Sequence, residues 1–443
     1  MVTAGIVVMR ALQIVLALAL LLILAAAGFV LWSQRSEFAV IEPPQRTSFD
    51  NDLIKKGASL AAIGNCDVCH TVPGGSAYAG SRPIPTPFGT IYSTNITPDP
   101  ETGIGQWSEE AFRRAMRDGI ARDGRHLYPA FPYLHYARVI DDDLHALYAF
   151  VMTRTPVAQG PLANALPFPL NQRWIVAFWN LLYLDDAPYR ADPRQSAEWN
   201  RGAYLVDGLG HCGDCHTPRN LLGAEKDREA LAGGEAEGWS APALNASSPA
   251  PVPWDASHLF AYLRRGWDAE HGAAAGPMQP VVDDLARPDE SDVRAIATYI
   301  AAQIGEPSTE RRQRAEALLA QARDSAQPAK PNAGEETAAA IFAGACAGCH
   351  LGAAAMAPPH GVDFRISAAI SAPDPRDTIL IVLDGIRPPQ GQPGPWMPRF
   401  DGAFTDAQLA ALLGYLRAHY SAAPAWTDLE TRVRDIRHSR ERP

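Results

Sequence analysis

No basic stripe, phosphate-binding loop, dinucleotide fingerprint or Ser/His/Asp arrangement stands out in these 443 residues. The net charge of −10 argues against a nucleic-acid partner, which would call for clustered Lys and Arg. Gly103 and Gly105 form a Gly-x-Gly, but it follows a turn and marks no nucleotide site. Methionine is scarce, at 7, and cysteine scarcer still, at 6. Proline is abundant instead: 38 residues exceed the usual share of about 5%, which disfavours long helical arrays and suits a loop-rich chain.

All six cysteines fall into three copies of one pattern, Cys-x-x-Cys-His: Cys66, Cys69 and His70; Cys212, Cys215 and His216; Cys346, Cys349 and His350. Two thiols on one turn add across the vinyl groups of a haem, and the adjoining histidine reaches the iron as axial ligand. A zinc ribbon pairs two Cys-x-x-Cys units around one metal and gives no reason for a histidine after each. A thioredoxin-like site needs one redox pair, not three. The spacing therefore predicts three covalently bound haem c groups, with His70, His216 and His350 as iron ligands. The length agrees, at about three domains of ~100–200 residues.

From Ile14 to Trp32 there are 19 consecutive apolar residues, with Arg10 before and Arg35 after. That run is long enough to cross a bilayer, whereas a cleaved signal peptide has a shorter apolar core. Ala25–Ala27 offers a cleavage site, yet cutting there would leave an apolar Phe-Val-Leu-Trp start. An uncleaved anchor within 1–35 is expected. Covalent haem is attached outside the cytoplasm, so the rest should face a bacterial periplasm from the inner membrane.

The three motifs have equivalent surroundings. A helix-like stretch precedes each, at Gly57–Leu60, Gly202–Leu205 and Ala339–Phe342. After a long loop region, an i, i+3, i+4, i+7 stripe follows each. The stripes are Leu144, Leu147, Tyr148 and Val151; Val293, Ile296, Ala297 and Ile300; and Leu409, Leu412, Leu413 and Leu416. Six positions into each lies an aromatic: Phe150, Tyr299 or Tyr415. Asp141–Asp143 and Ser291 are available as N-caps, and Thr405 with Gln408 makes a capping-box pattern.

This layout resembles the small all-α cytochrome c fold, whose first and last helices cross beside the haem. The fold class expected is all-α, with three tandem cytochrome c-type domains at 50–158, 196–305 and 333–425 behind a transmembrane helix. Residues 159–195 form an aromatic-rich connector, read as packing between domains or a docking surface for a partner or the membrane. Residues 306–332 read as a charged, partly helical tether and 426–443 as a solvated or partner-wrapping tail.

Iron held by histidine on one side takes methionine on the other in many electron carriers, which raises the potential. Met278 follows Gly276 and Pro277, and Met397 lies between Trp396 and Pro398, each shortly before its last helix. Both are predicted as distal ligands. Met356 follows its motif too closely and is read as packing. In the first repeat the corresponding residue is Phe131, which cannot ligate iron. His135, His126, Met116 or an open position remain, with His135 favoured. Imidazole there would lower that haem's potential and set a gradient along the three.

Several stretches resemble the tri-haem cytochrome c subunits of membrane-bound bacterial dehydrogenases. They are Thr86–Gly89, Ser93–Pro98, Gly103–Trp107 and Gly124–Pro129, with His211–Asn220 and Ala275–Met278 in the second module. The resemblance runs over nearly all of the exported region. It implies a partner catalytic subunit carrying a molybdenum, flavin or quinoprotein cofactor, and delivery of electrons to membrane ubiquinone or a terminal oxidase. It also implies that the cysteines hold haem, that His70, His216 and His350 are proximal ligands, and that Met278 and Met397 are distal ones. Alcohol- and gluconate-linked members carry Met where this chain has Phe131. The Tyr128–Tyr133 form and the Pro424–Leu429 tail look more like subunits paired with molybdenum hydroxylases for N-heterocycles or aldehydes. The chain is then no enzyme on its own. The rival readings are a haem enzyme with an open first haem, peroxidase-like, and a cytochrome module of a terminal oxidase.

Overall fold

The computed structural model describes residues 2–324, 327–352 and 362–440; Met356 lies outside them. The chain divides into two compact units, Met1–Ile54 with Cys69–Pro188, and Lys55–Val68 with Tyr189–Pro443. Helices dominate both. Among the described residues the strands form three two-stranded antiparallel hairpins, the longest pairing Pro83–Thr86 with Gly89–Tyr92.

In the first unit the Val2–Ser33 helix carries an apolar run, Met9–Ser33, of 25 residues. At 1.5 Å per residue such a run exceeds the ~30 Å hydrocarbon thickness of a bilayer. Its side chains are exposed from Met9 to Gly28. The Glu109–Asp118 helix starts at Ser108, whose side chain accepts from Ala111 N, and stops at Gly119 with φ 62°. It buries Ala111, Phe112, Ala115 and Met116. The predicted stripe helix runs over Asp141–Met152 and buries Leu144, Leu147, Tyr148, Phe150 and Val151. Its start differs from expectation. Ile140 is the N-cap, while Asp141 is drawn into ion pairs with Arg117 at 2.9 Å and Arg113 at 3.5 Å.

In the second unit the Ala197–Tyr204 helix crosses Glu290–Ile304, and Glu336–Ala345 crosses Asp406–Tyr420. Trp199 meets Tyr299 edge-on at 4.9 Å, and Arg201 grips Asp292 through two bonds of 2.8 and 3.0 Å. Phe342 packs on Tyr415 at 5.6 Å within a core that includes Leu409, Leu412, Leu413 and Leu416. The capping box of Thr405 and Gln408 is present. Ser291 is not a cap; Asp289 occupies that position and Ser291 lies inside the helix.

The charged tether and the tail both contain helices. The charged stretch read as a tether contains a helix, Thr309–Asp324, because Ala315, Leu318 and Leu319 align on one side and pack with Val252 and Ile366. The tail forms the Leu429–Arg440 helix, docked on the third stripe helix with Val433 buried and Arg437 bonded to Asp401 and Phe404 O. Its mixed charges are spent on that surface. The connector contains the Trp174–Tyr183 helix, which buries Val176 and Ala177 but leaves Trp174, Phe178, Leu181 and Leu182 exposed.

Candidate haem sites

Each Cys-x-x-Cys-His sits on a short helical turn: Cys66–His70, then Gly213–His216 and Ala347–His350 just behind Cys212 and Cys346. A helical turn of 3.6 residues brings residues i and i+3 to one side. The three histidines share one relation that the motif does not spell out. His70 Nδ1 lies 2.6 Å from Thr94 O, His216 Nδ1 lies 2.6 Å from Pro242 O, and His350 Nδ1 lies 2.9 Å from Val362 O. A ring that donates from Nδ1 keeps its Nε2 lone pair for a metal, and its orientation is fixed. Desolvation by the surrounding protein holds His70 and His216 below the usual imidazole range, against the opposing effect of the carbonyl bond. Neutral imidazole is the ligating form.

The carbonyl facing His70 is itself held. Gly80 adopts φ 76°, and a β-carbon there would come within 2.5 Å of Thr94 O. Asn95 secures the next residue, donating to Val157 O at 2.7 Å and accepting from Thr97 N at 2.9 Å. Ser93–Pro98 therefore serves as scaffolding for the bond to His70. Thr94, Pro242 and Val362 were not singled out from sequence, since a backbone carbonyl leaves no side-chain signature.

As free thiols, Cys212 is pushed up to about 12 and Cys346 to about 11, chiefly by burial. Paired thiols, a neutral imidazole anchored at Nδ1 and downstream thioethers fit haem c.

Comparison with known proteins agrees. A Cytochrome c family model matches residues 54–155 and 335–419. The gluconate 2-dehydrogenase cytochrome c subunit of Pantoea cypripedii is 37% identical over 385 residues, covering 83% of this chain and 86% of its own length. The fructose dehydrogenase cytochrome subunit of Gluconobacter japonicus is 34% identical over 415 residues, covering 89% and 84%. A nicotinate dehydrogenase subunit of Pseudomonas putida is 47% identical over 410 residues, 91% of this chain. The chain spans only 33% of that relative's length.

The chain belongs to the cytochrome c subunit family of bacterial dehydrogenases. Membership implies covalently bound haem c.

In this cytochrome the residues predicted as distal ligands occupy well-defined segments. Met278 opens a short helix, Met278–Leu285, since Pro277 with φ −60° is already set for a helix start. Met397 is fixed through its backbone: its N–H donates to Ile386 O at 2.8 Å and its carbonyl accepts from Ile386 N at 3.0 Å. Its side chain packs on the third core. Phe131 packs edge-on against Tyr136 at 5.4 Å. Of the residues considered in its place, His126 is buried with Nε2 2.8 Å from Ser33 O, and Met116 belongs to the apolar face of Glu109–Asp118. His135 lies half-buried on the Tyr133–Tyr136 turn. His145 pairs with Glu109 at 2.9 Å.

Proposed function

We propose that this chain is a tri-haem electron-transfer subunit that takes electrons from a dehydrogenase catalytic subunit and passes them to membrane ubiquinone or a terminal oxidase. The observation that carries the count of three is the histidine-to-carbonyl bond, present once per motif. It supports a haem in the second module, 196–305, which lies outside the family-model matches. Cys66 and Cys69, Cys212 and Cys215, and Cys346 and Cys349 then form the thioethers. His70, His216 and His350 are the proximal ligands, and Met278 and Met397 the distal ones.

Bound haem supplies reversible one-electron chemistry at iron; the protein's part is to fix the axial donors and exclude water. The first haem takes His135, because Phe131 at the corresponding position cannot ligate iron and imidazole can. The chain itself carries no substrate chemistry, and relatives that are themselves cytochrome subunits weigh against a peroxidase-like haem enzyme.

The partner is a molybdenum hydroxylase acting on an N-heterocycle or aldehyde, in preference to a flavin or quinoprotein alcohol or sugar dehydrogenase. The 47% identity to a nicotinate dehydrogenase subunit supports that choice. The Met9–Ser33 helix is an uncleaved anchor in the inner membrane, and the haem modules face the periplasm.

Haem counting tests the core of this reading. Intact mass and pyridine haemochrome spectra should give three acid–acetone-resistant haems per chain, and a Cys346→Ala, Cys349→Ala variant should give two. Fewer than three in the unaltered protein would refute it.

A further inference from the structure

The helix Trp174–Tyr183 presents two faces of different kinds. Its inner face is fixed to the first unit: Val176 and Ala177 are buried, and Asn180 Oδ1 accepts from Tyr133 OH at 2.6 Å. Just ahead of it, Arg173 donates to His126 O at 2.6 Å. Its outer face is a stripe at i, i+4, i+7 and i+8: Trp174 is 40% exposed, Phe178 52%, Leu181 60% and Leu182 54%. No charged residue occurs from Trp174 to Leu184, and Asp185 and Asp186 follow at once. An apolar stripe of this size facing water calls for a covering partner.

The neighbour of that stripe indicates which partner. Phe178 meets Phe29 edge-on, ring centres 6.2 Å apart. Phe29 lies four residues before Ser33, the end of the apolar Met9–Ser33 run. At 1.5 Å per residue this is about 6 Å inside the end of the span, a depth that belongs to the headgroup–acyl boundary of ~5–10 Å. The placement is braced on the polar side as well. His126 bonds Ser33 O, Arg114 donates to Ser36 O at 2.7 Å, and Arg122 donates to Phe38 O at 2.9 Å. Arg35 stacks over Trp32 at 4.6 Å, an arrangement suited to the membrane–water interface. Interfacial helices ordinarily show water a charged face. Here the body of the cytochrome takes that side.

We propose that Trp174–Tyr183 is a second, peripheral membrane contact, lying in the outer boundary of the bilayer that Met9–Ser33 crosses. The inference rests on reading Met9–Ser33 as a membrane anchor. A single spanning helix leaves a protein free to swivel; a second contact beside it fixes which face of the first module lies against the lipid.

The test uses the full-length haem-loaded protein in vesicles of phosphatidylethanolamine and phosphatidylglycerol, doped with a phosphatidylcholine carrying an acyl-chain diazirine. Illumination followed by peptide mass mapping should place lipid adducts on both 9–33 and 174–182. A Leu181→Asp, Leu182→Asp variant with unchanged haem content should lose adducts on 174–182 at least tenfold while keeping those on 9–33. Adducts confined to 9–33 in the unaltered protein would overturn the second contact and leave the anchor standing. Adducts on 174–182 without any on 9–33 would support the surface contact and remove the anchor. Loss of the 174–182 adducts in the native dehydrogenase complex, with those on 9–33 retained, would also overturn the proposal and make this face a protein interface.

Discussion

Gly202 lies against Tyr299 with no room for a side chain between them: a β-carbon on Gly202 would stand 2.7 Å from Tyr299 Cβ and 2.0 Å from Ala295 O. The first and last helices of the second module touch through backbone at this point. Gly202→Ala must push them apart, and overpacking of this kind costs about 1–3 kcal/mol. Denaturant unfolding followed at the haem absorbance should show that loss, with the haem count unchanged.

Replacing Met397 by Ala should remove the soft donor that favours ferrous iron at the third haem. One haem in a redox titration should shift down by on the order of 0.1 V, within the ~0.8 V that axial ligands span. Met278→Ala should shift a different one. Titrations unchanged in either variant would remove that methionine from the ligand set.

Carbon monoxide should discriminate the state of the first haem. The reduced protein should bind none when His135 closes the iron, and His135→Ala should bind one CO per chain. Uptake of one CO by the unaltered protein would mean an open first haem and dismiss His135 as ligand.

Asp284 gives a pH signature. Burial, together with the hydrogen bond and charge of Asp67, pushes its carboxyl up to about 8, against the opposing pull of Arg287. The folded protein therefore favours the protonated form more than the unfolded chain does, whose carboxyl titrates near ~3.9. The resulting stabilisation is complete below that value and lost as pH rises through 8. Melting temperature should fall between pH 5 and pH 9 more steeply than in Asp284→Asn, by at least ~2 °C, the shift expected for about 1 kcal/mol in a domain of ~150–250 residues. Parallel curves for the two proteins would contradict a protonated Asp284.

The three stripe helices were legible because each repeats a 3.6-residue period that local chemistry alone imposes; Leu144, Val293 and Leu409 are all fully buried. The capping box at Thr405 was legible for the same reason, as its partner is three residues away. Where a competing partner comes from another element, local reading failed. Asp141 left its expected capping role for Arg117, and the tail's arginines found Asp401 and Phe404 O on the third module. What the tether's helix packs against was not legible, because its few apolar residues give no sign of partners until Ala315 meets Val252 and Ile366.

By itself the sequence marked the three proposed points of haem attachment, since Cys-x-x-Cys-His is a contiguous pattern whose chemistry needs one turn of chain. Tertiary structure alone decided which atoms orient the motif histidines: the carbonyls facing His70, His216 and His350 lie 24, 26 and 12 residues downstream. No spacing rule connects them, because a loop's path is set by what it packs against, and a backbone oxygen is chemically the same at every residue.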